Sequence, residues 1–182
     1  MFNCPGQLII SGMGELHLDV LVTRITKEMK IEARVGNPQV SYRECIKKEN
    51  NGTEEWDRTI ANKENIAKLS MTVKPNPPKT GNTFHISAKT REIPEEILAA
   101  IKEGVEGAFR CGIKYGYECT DIDVDITAIE YDELTSTPLA FTSCAAMAFD
   151  RICQEAGAII MEPIMKVQAS APSEYIGDVI ST

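Results

Sequence analysis

The run ISGMGELHLD, residues 10–19, holds two glycines, two acids and a histidine, and three kinds of chemistry compete to explain it. A phosphate cradle needs more than glycine. The pattern GxxxxGK[ST] adds a lysine and a hydroxyl because backbone amides alone cannot neutralise a terminal phosphate and hold Mg²⁺, and no such pattern occurs in the chain. A metal site needs ligands on one face. His17 and Asp19 stand two apart on a helix and point to different sides, while Glu15 and Asp19, four apart, share a face but make a poor two-carboxylate site. The third reading is a sharp turn into a helix, in which Gly12 and Gly14 supply backbone freedom and the acids favour the positive end of the helix dipole.

Other candidates are weaker. DIDVD (121–125) has the alternating acids of a calcium loop but lacks the glycine and glutamate that follow at fixed offsets in an EF-hand. Strand alternation accounts for it, with Asp121, Asp123 and Asp125 on a solvated face. His85 sits beside Phe84 in a strand-like stretch with no cysteine or serine nucleophile near it, and reads as a structural or surface histidine. The six cysteines, Cys4, Cys45, Cys111, Cys119, Cys144 and Cys153, never form a CxxC pair, so they read as reduced core thiols, not a zinc site or a disulfide frame.

The elements that would position these residues follow from periodicity. GQLIIS reads as a short strand. From Gly14 the pattern becomes helical, with Leu18, Leu21, Val22, Ile25 and Met29 on one stripe to about Lys30, and KIEARV reads as a second strand. GNPQ (36–39) stops both ladders and helices and marks a domain boundary. Beyond it VSYRECI, KLSMTVKP and TFHISAKT alternate as strands, the last two joined by the turn-rich NPPKTGN (76–82). REIPEE opens a helix, with Pro94, Glu95 and Glu96 in its first turn, a buried stripe of Ile97, Ile101, Val105 and Ala108, and Gly112 as a left-handed stop. DIDVDITAIE is a strand with Ile122, Val124, Ile126 and Ala128 on one face. TSTPLAF starts another helix, capped by Ser136 or Thr137 with Pro138 in the first turn, reaching to about Gly157 before a last strand. The order predicts an α+β, split βαβ layer: helices covering one face of a mixed four-stranded sheet.

At 182 residues and 43% hydrophobic, the chain can bury one good core plus fragments of neighbours. No apolar run approaches the ~18 residues of a membrane span, and MFNCPGQLII lacks the charged segment and long apolar stretch of a signal peptide, so a cytoplasmic location is expected. A net charge of −8 excludes a broad basic footprint for nucleic acid; any RNA contact must be local. Composition and spacing by themselves stop at a soluble α+β protein without a self-contained active site.

Resemblance goes further. ISGMGELHLDVLVTRITKEMKIEARVGNPQVSYRE, IPEEILAAIKEGVEGAF and AFTSCAAMAFDRICQEAGAIIMEPIMKVQASAPSEYIGDVI are similar to the end of the third domain, the fourth domain and the opening of the fifth domain of bacterial elongation factor G, a translational GTPase. The resemblance implies residues 1–38 as the C-terminal part of a ferredoxin-like third domain, here a partial βαβ piece. It makes residues 39–163 a ribosome-probing fourth domain of the ribosomal protein S5 domain 2-like fold, and residues 164–182 a truncated start of the fifth. The chain is then a fragment, expected to be monomeric, with no catalytic residue, no metal and no cofactor of its own. GTP and Mg²⁺ belong to the full-length protein. The partners implied are small-subunit rRNA at the decoding region, tRNA and mRNA, with no membrane.

The tip implied by the resemblance comprises the turn Asn62, Lys63, Glu64 and Asn65 and the loop Tyr131, Asp132, Glu133, Leu134, Thr135 and Ser136. Lys63 and Lys68 are expected to supply phosphate contacts, with Asp132 and Glu133 opposing them. Two departures stand out. TIANKENIAKLSM has no glycine where the family carries a glycine-rich tip loop, and EYDELTSTPLAF is shorter than the family's second loop and has no histidine. These point to a divergent paralogue. A recycling or ribosome-protection relative, whose shortened loop TSTPLAF resembles, is the alternative. A small metabolite kinase on the same fold is a second alternative, but it needs a glycine-rich phosphate loop that is missing.

Overall fold

The computed structural model describes residues 8–60, 63–91, 93–166, 168, 172 and 177. Ser41–Glu162 forms one compact unit, and the described residues of 4–40 and 163–182 fall in a second.

In the second unit, α1 spans Glu15–Thr23 and continues as a π-helical turn, Arg24–Glu28. The helix start has a specific cause. The Met13 N–H donates to His17 Nδ1 at 3.3 Å, and a Cβ on Gly12 would lie 2.9 Å from Leu18 Cδ2, the movable end of that side chain. Gly14 is extended (φ 177°), a conformation open to any residue, and the freedom expected of it is not used. Among the described residues the two strands expected around α1 do not form: 8–12 and 30–40 carry no regular structure, and Gly6 and Gln7 of GQLIIS lie outside the described residues. Leu8, Ile9, Ile10, Ile31 and Val35 are all exposed. A strand without a ladder partner leaves its N–H and C=O groups to water and gains nothing over coil. Of the expected βαβ piece, the described residues show the helix.

The first unit is α+β. Its strands are β1 (Arg43–Ile46), β2 (Asn50–Ile60), β3 (Lys63–Pro75), β4 (Thr83–Ile86), β5 (Ile122–Glu130) and β6 (Ala158–Met161), with α2 (Glu95–Cys111) between β4 and β5 and α3 (Pro138–Ala156) before β6. The expected mixed four-stranded sheet is present in the order β2-β3-β5-β4, with β4 parallel to β5 and the other pairs antiparallel. Its membership differs from expectation. VSYRECI yields β1, which leaves the sheet to pair with β6 in a separate two-stranded one, and the place expected for it is taken by β2.

One face of the large sheet is buried under the helices. Trp56, Ala67, Leu69, Met71, Val73, Ile122, Val124 and Ile126 join the buried stripes of α2 and α3 in a single core. Ala128, expected on that face, is exposed. The register slips between Ser70 and Met71, so Ala128 faces Ser70 while Ile129 pairs with Leu69 and turns partly inward.

α2 and α3 run parallel. The Thr142 hydroxyl donates to the Ala100 carbonyl at 3.2 Å, and Phe109 meets Phe149 edge-to-face at 5.2 Å. Gly104 permits the crossing, since a Cβ there would lie 2.5 Å from the Thr142 carbonyl oxygen. Gly112 ends α2 at φ 82°, and Thr137 caps α3, its hydroxyl accepting the Ala140 N–H at 3.3 Å, with Pro138 at the start.

The acids of DIDVD are engaged, not merely solvated. Asp121 is buried, in the left-handed region (φ 56°), and its carboxylate accepts the N–H groups of Lys79 (3.1 Å) and Gly81 (2.7 Å), closing the 76–82 turn. Asp123 accepts from the Thr83 hydroxyl and Asp125 from Ser87. His85 is exposed, as expected. Cys45, Cys119, Cys144 and Cys153 are buried thiols, Cys111 is exposed, and Cys4 lies outside the described residues.

Candidate functional site

The long β2–β3 hairpin closes at one end of the sheet, and β5 delivers the chain to the same end before α3 begins. α2 and α3 also start there, since Ala100 and Thr142 lie level with one another. The opposite end holds the 76–82 turn.

The expected loop residues come together at this end. Residues 131–136 are tied inward by their own polar groups. The Asp132 N–H donates to Ser136 Oγ at 3.0 Å, the Leu134 N–H to Asp132 Oδ1 at 2.8 Å, and the Ser136 N–H to the Asp132 carbonyl at 2.9 Å. The Ile66 N–H of β3 then donates to the Thr135 carbonyl at 3.0 Å, and the Thr137 hydroxyl to Asn65 Oδ1 at 3.0 Å. Tyr131 packs partly buried against the core. Glu133 is exposed, and Leu134 is the apex with 92% of its surface free. Because its hydrogen bonds are made, the loop presents Leu134 and Glu133 without paying further ordering entropy.

The hairpin side differs from expectation. The ladder continues until Ile60 faces Lys63, so Lys63, Glu64 and Asn65 belong to β3, opposite Ile60, Thr59 and Arg58. Asn62 lies outside the described residues, as does the side chain of Lys63. Glu64 is exposed. Asn65 is buried, its carboxamide turned to Thr137. It sits on the inner face because the pleat that buries Ala67 and Leu69 also takes residue 65 inward.

Lys68 is not the free cation expected. It lies on the open face between Glu55 of β2 and Glu130 of β5, with its ammonium 2.7 Å from Glu130 Oε1. The hydrogen bond and charge of Glu130 raise its pKa above the ordinary lysine value. Arg58, opposite Asn65, is an exposed cation with no ion pair among the described residues, and nothing in the sequence pattern singles it out. Strand pairing of 50–60 places it there, and that strand carries few apolar residues.

Among the described residues no group of three His, Cys, Asp or Glu side chains could hold a metal ion. Among the described residues this end is a hydrogen-bonded loop set against β3, with no nucleophile beside a base.

Residues 38–157 match the family model described as Elongation factor G, domain IV, and residues 5–37 the one described as Elongation Factor G, domain III. Over 97% of its length the chain is 46% identical to elongation factor G 1 of Treponema denticola and 41% identical to elongation factor G 2 of Treponema pallidum, covering 27% of each. It is 40% identical to elongation factor G of Chlamydia caviae over 96% of its length, covering 25% of that protein. A crystal structure of a Thermus thermophilus protein superposes with a TM-score of 0.73 over 93% of this chain and 25% of its own, at 27% identity. The chain thus spans about a quarter of the length of the curated relatives it matches.

Proposed function

Because this chain belongs to the elongation factor G family, we propose that residues 39–163 are the ribosome-probing domain of a translocase, entering the aminoacyl-tRNA site of the small subunit to promote GTP-dependent movement of tRNA and mRNA. Residues 1–38 then belong to a ferredoxin-like third domain and 164–182 open a fifth. The core of 39–163 corresponds to the split βαβ of the S5 domain 2-like fold. The match of residues 38–157 to the domain IV family model carries this reading.

The working surface is the end formed by residues 63–66 and 131–137. With Lys68 held by Glu130 and with Asp132 and Glu133 exposed, little net positive charge is offered there. Recognition of rRNA, tRNA and mRNA rests on shape and on the full-length factor holding this end in place, and free RNA binds weakly and more weakly as salt rises. The domain's part is mechanical: a preformed end occupies a site and excludes what would return to it. No catalytic residue is assigned to this chain, and GTP and Mg²⁺ are bound elsewhere in the full-length protein. The family membership implies a cytoplasmic, ribosome-bound role; separately, no helix among the described residues is long and apolar enough to cross a membrane.

The compact, histidine-free loop tied to Ile66 favours a second reading within the same family, a recycling or ribosome-protection paralogue. One experiment separates them. Residues 131–136 are replaced by a glycine-serine loop of equal length in the full-length protein, and single-turnover translocation, subunit splitting and ribosome-stimulated GTP hydrolysis are measured. A translocase loses translocation by about tenfold or more with GTP hydrolysis retained; a recycling factor loses splitting instead. Unchanged rates in both assays contradict the assignment of this end.

A further inference from the structure

α2 carries two glycines in its interior, and the fold asks different things of them. Gly104 is required by the crossing with α3, whereas nothing lies within 4 Å of the Cβ that Gly107 lacks. A helix-interior glycine weakens its helix relative to alanine, so at Gly107 the fold carries a cost that no internal contact explains. The space over it is an open groove of about 560 Å³ between α2 and α3 on their exposed side, lined by Glu103, Gly107, Arg110, Cys111, Ala146 and Asp150 among others. The floor is backbone and small side chains. Its rim bears the exposed carboxylates Glu103, Glu106 and Asp150 against the single guanidinium of Arg110. Glu106 is only loosely engaged, 3.7 Å from an exposed Lys102, Asp150 Oδ1 accepts from the Gln154 carboxamide at 2.8 Å with its second oxygen left over, and Glu103 has no ion pair among the described residues.

A floor of backbone and small side chains suits close approach of another backbone, and three carboxylates around it oppose phosphate and attract ammonium or guanidinium groups. We propose that this groove docks a cationic peptide segment of a protein partner, its backbone seated over Gly107 and its lysine or arginine side chains meeting Glu103, Glu106 and Asp150. The surface is separate from the end formed by 63–66 and 131–137, and the proposal stands apart from the role of that end.

The test uses the 182-residue chain with Cys4→Ser, so that Cys111 in the groove wall is the reporter, and a synthetic Gly/Ala/Lys peptide of about twelve residues as probe. Saturating peptide is expected to slow thiol labelling of Cys111 about fivefold. Gly107→Trp fills the groove with no change in charge. It is expected to melt no lower than wild type and to bind about tenfold more weakly, while Glu103→Gln and Asp150→Asn weaken binding mainly at low salt. Gly107→Gln serves as a smaller filler should the tryptophan unfold the chain, and Glu55→Gln on the open sheet face is expected to leave affinity unchanged. If the filled variants bind as well as wild type, or if Cys111 stays unprotected, the peptide is responding to general negative charge and the proposal fails. A uridine oligonucleotide that protects Cys111 as well as the peptide does would also overturn it.

Discussion

Replacing Glu44 by glutamine tests a buried carboxylate that accepts four backbone N–H groups. Glu44 on β1 is fully buried, and its carboxylate is enclosed by the backbone that follows α2. Oε2 accepts the N–H groups of Ile113 (3.1 Å) and Lys114 (2.8 Å), and Oε1 those of Tyr115 (3.1 Å) and Tyr117 (2.8 Å). The backbone reaches this position because Gly112 adopts φ 82°, where a Cβ would meet the Tyr117 carbonyl oxygen at 2.4 Å. Glutamine keeps the shape but offers one oxygen, so its NH₂ group faces two N–H donors and both are left unsatisfied. Hydrogen bonds to a charged acceptor contribute about 1.5–3 kcal/mol each, so losing two of the four costs about 3–6 kcal/mol. Glu44→Gln is therefore expected to lower unfolding stability by about 3–6 kcal/mol, a large share of the ~5–15 kcal/mol typical of a domain. Urea denaturation gives the magnitude, and hydrogen exchange should show the amides of residues 113, 114, 115 and 117 losing protection before those of α3. A loss below about 1 kcal/mol, with those amides unchanged, would refute the reasoning that this loop is organised around a carboxylate.

Three further outcomes are expected. Gly104→Ala forces a Cβ against the Thr142 carbonyl and should destabilise by about 1–3 kcal/mol, whereas Gly107→Ala should stabilise by about 0.5–1 kcal/mol; parallel melting curves decide both. Thr137→Ala removes the cap of α3 and the bond to Asn65, costing about 1 kcal/mol and loosening residues 131–136 in hydrogen exchange. Burial raises the thiol of Cys144 to about 11 and that of Cys119 to about 12, and pushes Cys153 up as well. The unfolded chain releases these protons from the ordinary value of 9.0 upward while the folded chain holds them. Stability should thus be fully present below pH 9 and fall as pH rises above it, by up to about 1.4 kcal/mol per unit for each thiol. Urea midpoints measured between pH 7.5 and 10.5 check the sign, and a flat profile would contradict it.

Much of the α+β layer could be read from the sequence because α2, α3 and β5 each carry a one-sided apolar pattern and the two helices have chemically marked ends: Pro94 and Gly112 for α2, Thr137 with Pro138 and Gly157 for α3. β2 was illegible for the opposite reason. NNGTEEWDRTI buries only Trp56 among its described side chains, Gly52 lies under Ile152, and Glu54 is satisfied by Arg151 across the interface with α3, so its strand character depends on tertiary partners that no local period reveals. GQLIIS and KIEARV fail conversely: their local pattern suits strands, but no ladder partner is described for them. The slip that turns Ala128 outward, and the Glu130 that occupies Lys68, likewise arise from pairing between distant segments. At the candidate site the loop 131–136 came from family likeness, and its tie to β3 through Ile66 and Asn65 required the structure.

The central claim, that the end bearing residues 131–136 faces ribosomal RNA, is tested most directly by tethered hydroxyl-radical cleavage. An iron chelate is attached at Leu134→Cys, or at Lys79→Cys on the opposite end, in the full-length protein with its other exposed cysteines replaced, and the protein is bound to ribosomes with a non-hydrolysable GTP analogue. The account expects strand breaks in small-subunit rRNA around the decoding region from position 134 and none there from position 79. Equal cleavage from both positions, or decoding-region cleavage from position 79 alone, would contradict it.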